Sequence, residues 1–510
     1  MEKPNIVFIM ADDMGYGDVG CYNSDSKIPT PNMNRLAREG IRFTDLHSPS
    51  AVCSPTRYGV LTGRYCWRTP LGHGVFSSYE PPLIEKERLT VPGLLKRHGY
   101  TTAAIGKWHL GLGFQARDGE HLEFPPTFIR TTVNRDFEEK LDLTKPLTGG
   151  PLDLGFDYFF GTATGKGKPF GFIENDRFIE EMGYREEVRR GARGEGMTAR
   201  GWQIKDVDPS FSKKAVEFIE KQAGSGDPFF LYLVPSAPHE PCYREVVPEF
   251  ARDQSQAGAR GDLVWLLDWI VGQVLEALER TGKAENTLIM VTSDNGATPG
   301  DFVQDKDGAN SQDVKADIIW QDETRQTKWR MYGHKSCGDW RGYKAHIWEG
   351  GHREPFIARW PGKIEPGAVC DELCDLIDFM ATCATLVGDE LHGEEGQDSR
   401  NILPLLLGEQ VEEPCRDMAI YQSSYGVYAL RKGDWKLIPG TKGSGGWGPP
   451  KGIRPVPGTP GQLYNMKEDP YEQNDLFEER PELVEQLTAE LEAQIREGYP
   501  DKSWLKIRTA

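Results

Sequence analysis

Short, continuously apolar runs alternate along this chain with amphipathic stretches, and this alternation predicts the order of its elements. The four runs that matter most are Ile6–Met10, Thr101–Ile105, Phe229–Val234 and Leu288–Val291. Each is apolar without the alternation of a half-exposed strand, so each predicts a strand buried on both faces of a sheet. Apolar residues at helical spacing between positions 263 and 278 predict a helix before the fourth run. The pattern is typical of an α/β fold with a large, mostly parallel central sheet flanked by helices.

The texture of the chain changes after position 408. Three short strand-like pieces follow among glycines and prolines: Ala419–Tyr421, Val427–Leu430 and Trp435–Ile438. A last stripe of apolar residues, from Leu483 to Ile495, predicts a terminal helix. We therefore expect a catalytic α/β domain at residues 1–408 and a C-terminal subdomain at residues 409–510, formed by a small antiparallel sheet and this helix.

Other segments give weaker predictions. Gly113 to Pro151 and Ala297 to Trp340 are polar and poorly periodic, which indicates long surface loops that set substrate specificity. Gly165-Lys166-Gly167-Lys168 lacks the spacing of a phosphate-binding loop and is interpreted as a flexible basic loop. The spacing of Cys370 and Cys374 is that of two thiols on one face of a core helix, rather than of a metal clip.

Charge and composition exclude several classes of function. Among 510 residues, 78 Asp and Glu outnumber 60 Lys and Arg, which gives a formal net charge of −18. Such an acidic chain is a poor non-specific binder of nucleic acid. No run reaches the roughly 18 apolar residues of a membrane span, so we expect no membrane contact. The start of the chain lacks a signal-peptide pattern, which predicts a cytoplasmic protein if Met1 is the native start and a periplasmic or secreted one if a leader was removed.

Chemistry-bearing side chains follow each of the four strands at its carboxyl end. They are Asp12 and Asp13, Lys107 and His109, His239, and Asp294 with Asn295. In open α/β sheets ligands bind at this edge. Carboxylate and amide oxygens suit a hard cation, Ca²⁺ or Mg²⁺, better than zinc or copper. One acidic pair alone is equally typical of a turn or a helix cap, but two pairs at one edge favour a metal site.

The pentapeptide Cys53-Ser54-Pro55-Thr56-Arg57 is the most informative in the chain. Pro55 fits the first turn of a helix, which places Cys53 at the positive end of that helix. Taken alone, this arrangement indicates a thiol nucleophile with a lowered pKa. The alternative, a buried and inert cysteine, is the commoner environment of a free thiol.

This pentapeptide, followed by Tyr58-Gly59-Val60-Leu61-Thr62-Gly63-Arg64, resembles the signature of the type I, formylglycine-dependent sulfatases. Further blocks also resemble that family: Asn5–Asp13, Gly99–Gly111, Pro238-His239, Ser293–Gly296, Arg341–Lys344, Glu349–Gly351, Gly433–Leu437 and Asp469–Glu472. The resemblance covers nearly the whole chain and is greatest to the arylsulfatase-A-like branch. It implies an alkaline-phosphatase-like α/β fold.

The resemblance also implies the roles of individual residues. The metal, usually calcium, would lie on Asp12, Asp13, Asp294 and Asn295 and would face modified Cys53. Cys53 would be oxidised to formylglycine by a formylglycine-generating enzyme that acts on Cys53 to Arg57. The hydrated aldehyde would attack sulfur with one hydroxyl, and loss of a proton from the second would release sulfate. Arg57 and His109 would hold and deprotonate this diol. Lys107, His239 and Lys344 would bind the sulfate oxygens, and His239 or Lys344 would protonate the leaving oxygen.

The implied activity is hydrolysis of a sulfuric ester, either of a sulfated carbohydrate, by exo action, or of an aryl sulfate. Two alternatives stay open at this point: a phosphomonoesterase or phosphonate hydrolase of the same superfamily, and a non-catalytic protein that binds sulfated glycans with Cys53 unmodified. With a divalent ion, the charged side chains of the implied site sum to a positive formal charge. Such a focused pocket can capture sulfate despite the acidic surface, and that surface favours a short chain end over a long polyanion.

Overall fold

The structure is a computed structural model that describes residues 3–122, 135–185, 195–298, 333–446 and 460–497. The α-helices within these residues are α1 (Pro31–Glu39), α2 (Cys53–Thr62), α3 (Val91–Arg97), α4 (Arg135–Glu139), α5 (Val207–Gln222), α6 (Gly258–Arg280), α7 (Glu349–His352), α8 (Phe379–Val387), α9 (Leu403–Leu406) and α10 (Pro481–Glu497). The strands are β1 (Asn5–Ala11), β2 (Ile41–Phe43), β3 (Leu46–His47), β4 (Thr101–Lys107), β5 (Tyr158–Thr162), β6 (Ile173–Glu174), β7 (Arg177–Phe178), β8 (Met182–Arg185), β9 (Gly196–Ala199), β10 (Phe229–Val234), β11 (Thr287–Ser293), β12 (Phe356–Arg359), β13 (Ala368–Cys370), β14 (Cys374–Asp375), β15 (Met418–Gln422), β16 (Tyr428–Lys432), β17 (Trp435–Ile438) and β18 (Gln462–Asn465).

The central sheet contains ten of the described strands, in the order β13-β2-β12-β11-β1-β10-β4-β5-β6-β7. Its middle five strands, from β11 to β5, are all parallel, whereas β12, β6 and β7 pair antiparallel at the two sides. The four apolar runs of the sequence are β1, β4, β10 and β11, which are direct neighbours in this sheet. The prediction of a mostly parallel α/β sheet is therefore confirmed.

Helices cover both faces of the sheet. Alternate residues of β1 enter two different cores: Phe8 packs with residues such as Tyr58 and Phe379, and Ile9 packs with residues such as Leu267. Since α2 and α8 contribute to the first core and α5 and α6 to the second, every position of β1 is buried. This double burial is the reason why the strand is continuously apolar in sequence.

A second, antiparallel sheet follows in the C-terminal part of the chain, in the order β15-β16-β17-β18. One face packs against α10, because Leu487 and Leu491 share a core with Leu430 of β16. The opposite face packs against Trp348, which precedes α7. The predicted small sheet and terminal helix are thus present, and the boundary between 408 and 409 stays a prediction.

Three expectations about loops need correction or lie outside the described residues. The Gly113–Pro151 segment is not simply a surface loop: Leu141 is fully buried, and Leu143 and Leu147 join the core of the central sheet. Cys370 and Cys374 end β13 and begin β14, so they do not share a helix, because the chain is extended there to pair with β2 and β3. Most of the Ala297–Trp340 segment, residues 299–332, lies outside the described part of the chain.

Within the described residues, no helix has both the length and the apolar composition needed to cross a bilayer.

Candidate active site

Four adjacent strand ends form the floor of one site. Asp12 and Asp13 follow β1, and Asp294 follows its neighbour β11, where the backbone N–H of Asp13 donates to Asp294 Oδ1 at 3.2 Å. Lys107 is the last residue of β4, and His239 lies in the turn after β10. Because the parallel strands end at one edge, residues far apart in sequence meet there.

Cys53 begins α2 and faces this floor. Pro55 lies in the first turn of the helix, as predicted, and all ten residues from Cys53 to Thr62 are buried. The thiol Sγ lies 3.5 Å from Asp12 Oδ1, and Nζ of Lys344 lies 3.5 Å from Sγ. A carboxylate and an ammonium therefore approach the predicted nucleophile position together.

Several oxygen atoms around Cys53 are of the kind that binds a hard cation. Ligand atoms of Asp12, Asp13, Cys53 and His239 all lie within 4.8 Å of one another. Oδ2 of Asp13 and Oδ1 of Asn295 are buried without a hydrogen-bond partner among the described residues. Buried oxygen atoms of this kind are costly unless they bind something, so the residues present fit a calcium or magnesium ion.

Arg57, one turn along α2 from Cys53, is fully buried beneath the site. Its Nε and Nη2 both donate to Asp294 Oδ2, at 3.1 and 2.8 Å, and its Nη1 donates to the backbone oxygen of Lys107 at 2.8 Å. One guanidinium thus joins α2 to the ends of β11 and β4, a use that its planar set of donors permits.

Two lysines pair with the two acids that follow β1. Nζ of Lys107 lies 2.7 Å from Asp12 Oδ2, and Nζ of Lys344 lies 2.5 Å from Asp13 Oδ1. Both lysines are almost completely buried. Although burial alone would raise the pKa of Asp12, His239 and the neighbouring basic side chains hold that pKa well below its usual value. Asp12 is therefore a carboxylate and an available ligand.

The two predicted histidines have defined tautomers, because each bonds a carbonyl oxygen that can only accept. His109 Nε2 donates to the backbone oxygen of Phe76 at 3.0 Å, which leaves Nδ1 as the unprotonated nitrogen. Burial and the cation of Lys107 hold the pKa of His109 well below its usual value. His239 Nδ1 donates to the oxygen of Glu240 at 2.8 Å, and its Nε2 lies 3.7 Å from Asp13 Oδ2.

The pKa of the Cys53 thiol contradicts the hypothesis of an activated cysteine. Burial first, and then the carboxylate of Asp294, raise this pKa far above its ordinary value, although Lys107 and Lys344 oppose the shift. The helix N-terminus favours a thiolate as predicted, but burial outweighs it. Burial thus favours the second interpretation of the sequence, a buried thiol, over an activated one.

Sequence reasoning missed residues that support this site from behind. Arg260, on α6, donates from Nη2 to the backbone oxygen of Asp13 at 2.8 Å and to Asp18 Oδ2 at 2.7 Å. Lys166, predicted to be in a flexible loop, is only 3% exposed and bonds the backbone of His239. No local signal in the sequence marks Lys166 as buried, because a lysine between two glycines is equally typical of a solvated loop.

Comparison with known proteins identifies the class to which this fold and site belong. A family model described as "Sulfatase" matches residues 4–389, so the chain belongs to the sulfatase family. Members of this family use a formylglycine formed from an active-site residue together with a bound metal. The resemblance seen in the sequence is confirmed, as is the implied activity, hydrolysis of a sulfuric ester.

Individual relatives refine the comparison. The chain is 31% identical over 519 residues to an N-acetylgalactosamine-6-O-sulfatase of Bacteroides thetaiotaomicron. The alignment covers 96% of this chain and 93% of the relative. It is 30% identical over 451 residues to arylsulfatase A of Homo sapiens, covering 86% and 76% of the two chains. A solved structure from work on glycosaminoglycan metabolism by Bacteroides thetaiotaomicron has a TM-score of 0.79 at 29% identity and covers 97% of this chain and 100% of its own. These similarities confirm the predicted sulfatase fold.

Proposed function

We propose that this sulfatase releases sulfate from the end of a sulfated carbohydrate, with residue 53 as formylglycine and a calcium ion on the oxygens of Asp12, Asp13, Asp294 and Asn295. The observation that carries the proposal is the approach of Asp12 Oδ1 and Lys344 Nζ to Sγ of Cys53, each at 3.5 Å. When bound, the ion would polarise the sulfate and the hydroxyl at residue 53 and neutralise their charge.

The side chains around residue 53 support a division of labour. As formylglycine, this residue would supply one hydroxyl for attack on sulfur and a second whose loss of a proton releases sulfate. His109 Nδ1 lacks a proton, because Nε2 donates to Phe76, and so can take one from the diol. Arg57 would hold the diol in place. Lys107 and Lys344 present two buried ammonium groups that match the negative charge of the transferring sulfo group.

His239 is proposed as the acid that protonates the leaving oxygen. Its Nδ1 donates to a backbone carbonyl, which fixes the ring, and its Nε2 is directed to the site, 3.7 Å from Asp13 Oδ2. A sugar hydroxyl is a poor leaving group that needs a proton as the S–O bond breaks, and a positioned imidazolium can supply it.

The substrate proposal rests on the relatives. The bacterial relative that shares nearly the full length of this chain is named for action on 6-O-sulfated N-acetylgalactosamine. We propose this sulfated sugar as the first substrate class for this chain, and a formylglycine-generating enzyme that acts on Cys53 to Arg57 as a required partner.

The test uses full-length protein produced together with a formylglycine-generating enzyme. Mass spectrometry of the peptide that contains residue 53 shows whether sulfur has been replaced by oxygen. Sulfate release is then measured on N-acetylgalactosamine sulfated at O6 or at O4, and on an aryl sulfate with its matching aryl phosphate. We expect release from the 6-O-sulfated sugar, none after Cys53→Ala, and full release after Cys66→Ala, a buried thiol outside the site.

Three outcomes would contradict the proposal. Release only from the 4-O-sulfated sugar would overturn the substrate. Faster turnover of the aryl phosphate than of the aryl sulfate would favour the phosphatase alternative. Sulfated-sugar binding without turnover, by protein in which residue 53 is shown to be formylglycine, would favour a binding function.

A further inference from the structure

The Gly165-Lys166-Gly167-Lys168 segment contains a buried ammonium that the proposed chemistry does not use. Nζ of Lys166 donates to the backbone oxygen of His239 at 3.1 Å and lies 3.6 Å from Oδ2 of Asp208. Both charged side chains are nearly completely buried, at 3% and 2% exposure. Burial of a lysine is costly unless its charge is paired and its donors are satisfied. The carboxylate of Asp208 and the backbone oxygen of His239 offset this cost for Lys166.

Asp208 binds the turn that follows β10 and carries His239. It lies at the start of α5, and its Oδ1 accepts from the backbone N–H groups of Ser236 at 2.6 Å and of Ala237 at 3.2 Å. The turn has few other donors to offer, because residues 235, 238 and 241 are prolines without an N–H. The carboxylate of Asp208 therefore accepts hydrogen bonds from two of the few backbone N–H groups in this turn.

The turn is also hydrogen-bonded to Asp12, one of the proposed metal ligands. The backbone N–H of Asp12 donates to the oxygen of Ala237 at 3.2 Å. On the opposite side, a Cβ atom at Gly165 would lie 2.9 Å from Cδ of Lys107 and 3.0 Å from Oγ of Ser236. The backbone that carries Lys166 is thus seated directly on a lysine of the active site.

We infer that Lys166 and Asp208 are positioning residues for His239: they hold its backbone so that the imidazole meets the leaving oxygen. This inference rests on the proposed function, in which His239 supplies the proton. Neither residue touches substrate in this role. Their effect is on the orientation of His239, and a displacement of about 1 Å in a catalytic group is enough to lower the rate strongly.

The test exploits the dependence of the reaction on its leaving group. An aryl sulfate with an acidic phenol needs little help from an acid, whereas a sugar sulfate needs a proton. We expect Lys166→Met, which keeps most of the aliphatic stem, to lower kcat for the sugar sulfate by about tenfold to a hundredfold. The same variant should change kcat for the acidic aryl sulfate by less than about threefold. Lys166→Arg should restore much of the activity, because it keeps a buried cation with donors.

Lys168→Met is the matched control, two residues further along the same segment. Its ammonium pairs with Glu138 Oε1 at 3.1 Å and is partly exposed, at 19% of the side chain. We expect this variant to retain wild-type rates on both sulfates. If Lys166→Met does not fold, Asp208→Asn tests the same inference, because it removes the charge opposite Lys166 and keeps an oxygen that can accept from the turn.

His239→Ala separates this inference from the proposed function. If His239→Ala loses activity equally on both sulfates, the assignment of His239 as the acid is wrong. If His239→Ala is selective for the sugar sulfate and Lys166→Met is not, the positioning inference is overturned. We expect the double variant Lys166→Met/His239→Ala to be no slower on the sugar sulfate than His239→Ala alone. Additive losses would show that Lys166 acts independently of His239 and would contradict the inference.

Discussion

Lys344 and Asp13 form a buried ion pair at the centre of the site, with Nζ 2.5 Å from Oδ1. The other carboxylate oxygen of Asp13, Oδ2, has no hydrogen-bond partner among the described residues. Asp13 adopts a φ of 71°, in the left-handed region of backbone conformation that residues other than glycine rarely occupy. The carboxylate is therefore held by one cation while it offers its second oxygen to another.

The first prediction follows from this shared carboxylate. A divalent ion on Asp13 is repelled by the ammonium of Lys344, so Lys344→Met should bind Ca²⁺ more tightly, on the order of tenfold, which is about 1.4 kcal/mol. Asp13→Asn should bind it at least about tenfold more weakly, because a charged ligand is lost. Calorimetric titration of metal-free protein measures both, and the rise of Tm with added Ca²⁺ checks them independently.

Lys335→Met is the control for the effect of removing a lysine from this part of the chain. Nζ of Lys335 lies 2.5 Å from Oδ1 of Asp339, which is not one of the proposed metal ligands. The affinity of Lys335→Met for Ca²⁺ should equal that of the wild type. Equal affinities of Lys344→Met and wild type would show that the ammonium and the ion do not compete for Asp13.

The second prediction concerns the need for two hydroxyl groups at residue 53. In Cys53→Ser, kept as serine and verified by mass spectrometry, the single hydroxyl can attack sulfur but has no second hydroxyl whose deprotonation would release sulfate. We expect one turnover at most and a stable sulfo adduct on the peptide that contains residue 53. Cys53→Ala should give neither. Sustained turnover by the serine variant would contradict a mechanism through the hydrated aldehyde.

Much of this architecture could be predicted from local sequence alone. The bounds of β1, β4, β10 and β11 differ from the apolar runs by at most two residues at either end, because burial on both faces leaves an unbroken apolar signal. The meeting of Asp12, Asp13, Asp294 and Asn295 also follows, since parallel strands deliver their carboxyl ends to one edge.

Features set by distant partners could not be predicted in this way. Lys166 is buried only because Asp208 and the carbonyl of His239 receive it, and a glycine-lysine repeat looks equally like a solvated loop. The pKa of Cys53 is another example, because the helix N-terminus is visible in sequence while the burial that outweighs it is not. Lys344 follows no strand end, so only its resemblance to a family block indicated its place in the site.

The third prediction concerns pH and stability. Burial, with a further contribution from the neighbouring carboxylate of Asp378, raises the pKa of Asp375 to about 8 even though Arg416 opposes the shift. The folded protein keeps this proton where the unfolded chain, with a pKa of about 3.9, has lost it. The free energy of unfolding should therefore fall as pH rises from about 4 to about 8, by at most about 1.4 kcal/mol per unit from this group, and level off above.

Asp375→Asn removes this titration while it keeps an oxygen for the N–H of Ile377, which Asp375 caps at 3.1 Å. In chemical unfolding at pH 5 and pH 8, the gain in stability of the variant relative to wild type should be larger at pH 8 than at pH 5. Asp378→Asn is the contrasting variant, because Asp378 pairs with buried Arg416. It should lose about 3–5 kcal/mol at both pH values. An identical pH dependence of Asp375→Asn and wild type would show that Asp375 is ionised in the fold.

The fourth prediction concerns the contact between the C-terminal sheet and the segment that carries Lys344. Nζ of Lys436, on β17, lies 2.8 Å from Glu349 Oε1 and 2.7 Å from Glu472 Oε1, and all three side chains are buried. Lys436→Met removes the cation between these two buried carboxylates. Glu349 keeps its ion pair with Arg353, at 2.7 Å, but Glu472 Oε1 loses its partner, so the variant should lower the free energy of unfolding by about 3–5 kcal/mol. It should also lower kcat, because Glu349 begins α7 just after Lys344.

Lys432→Met is the control, on the neighbouring strand. It removes a partly exposed ion pair with Glu490 and should cost less than about 1 kcal/mol of unfolding free energy without affecting kcat. Equal unfolding free energies and equal kcat for the two variants would mean that the buried pair neither stabilises the sheet nor supports the position of Lys344.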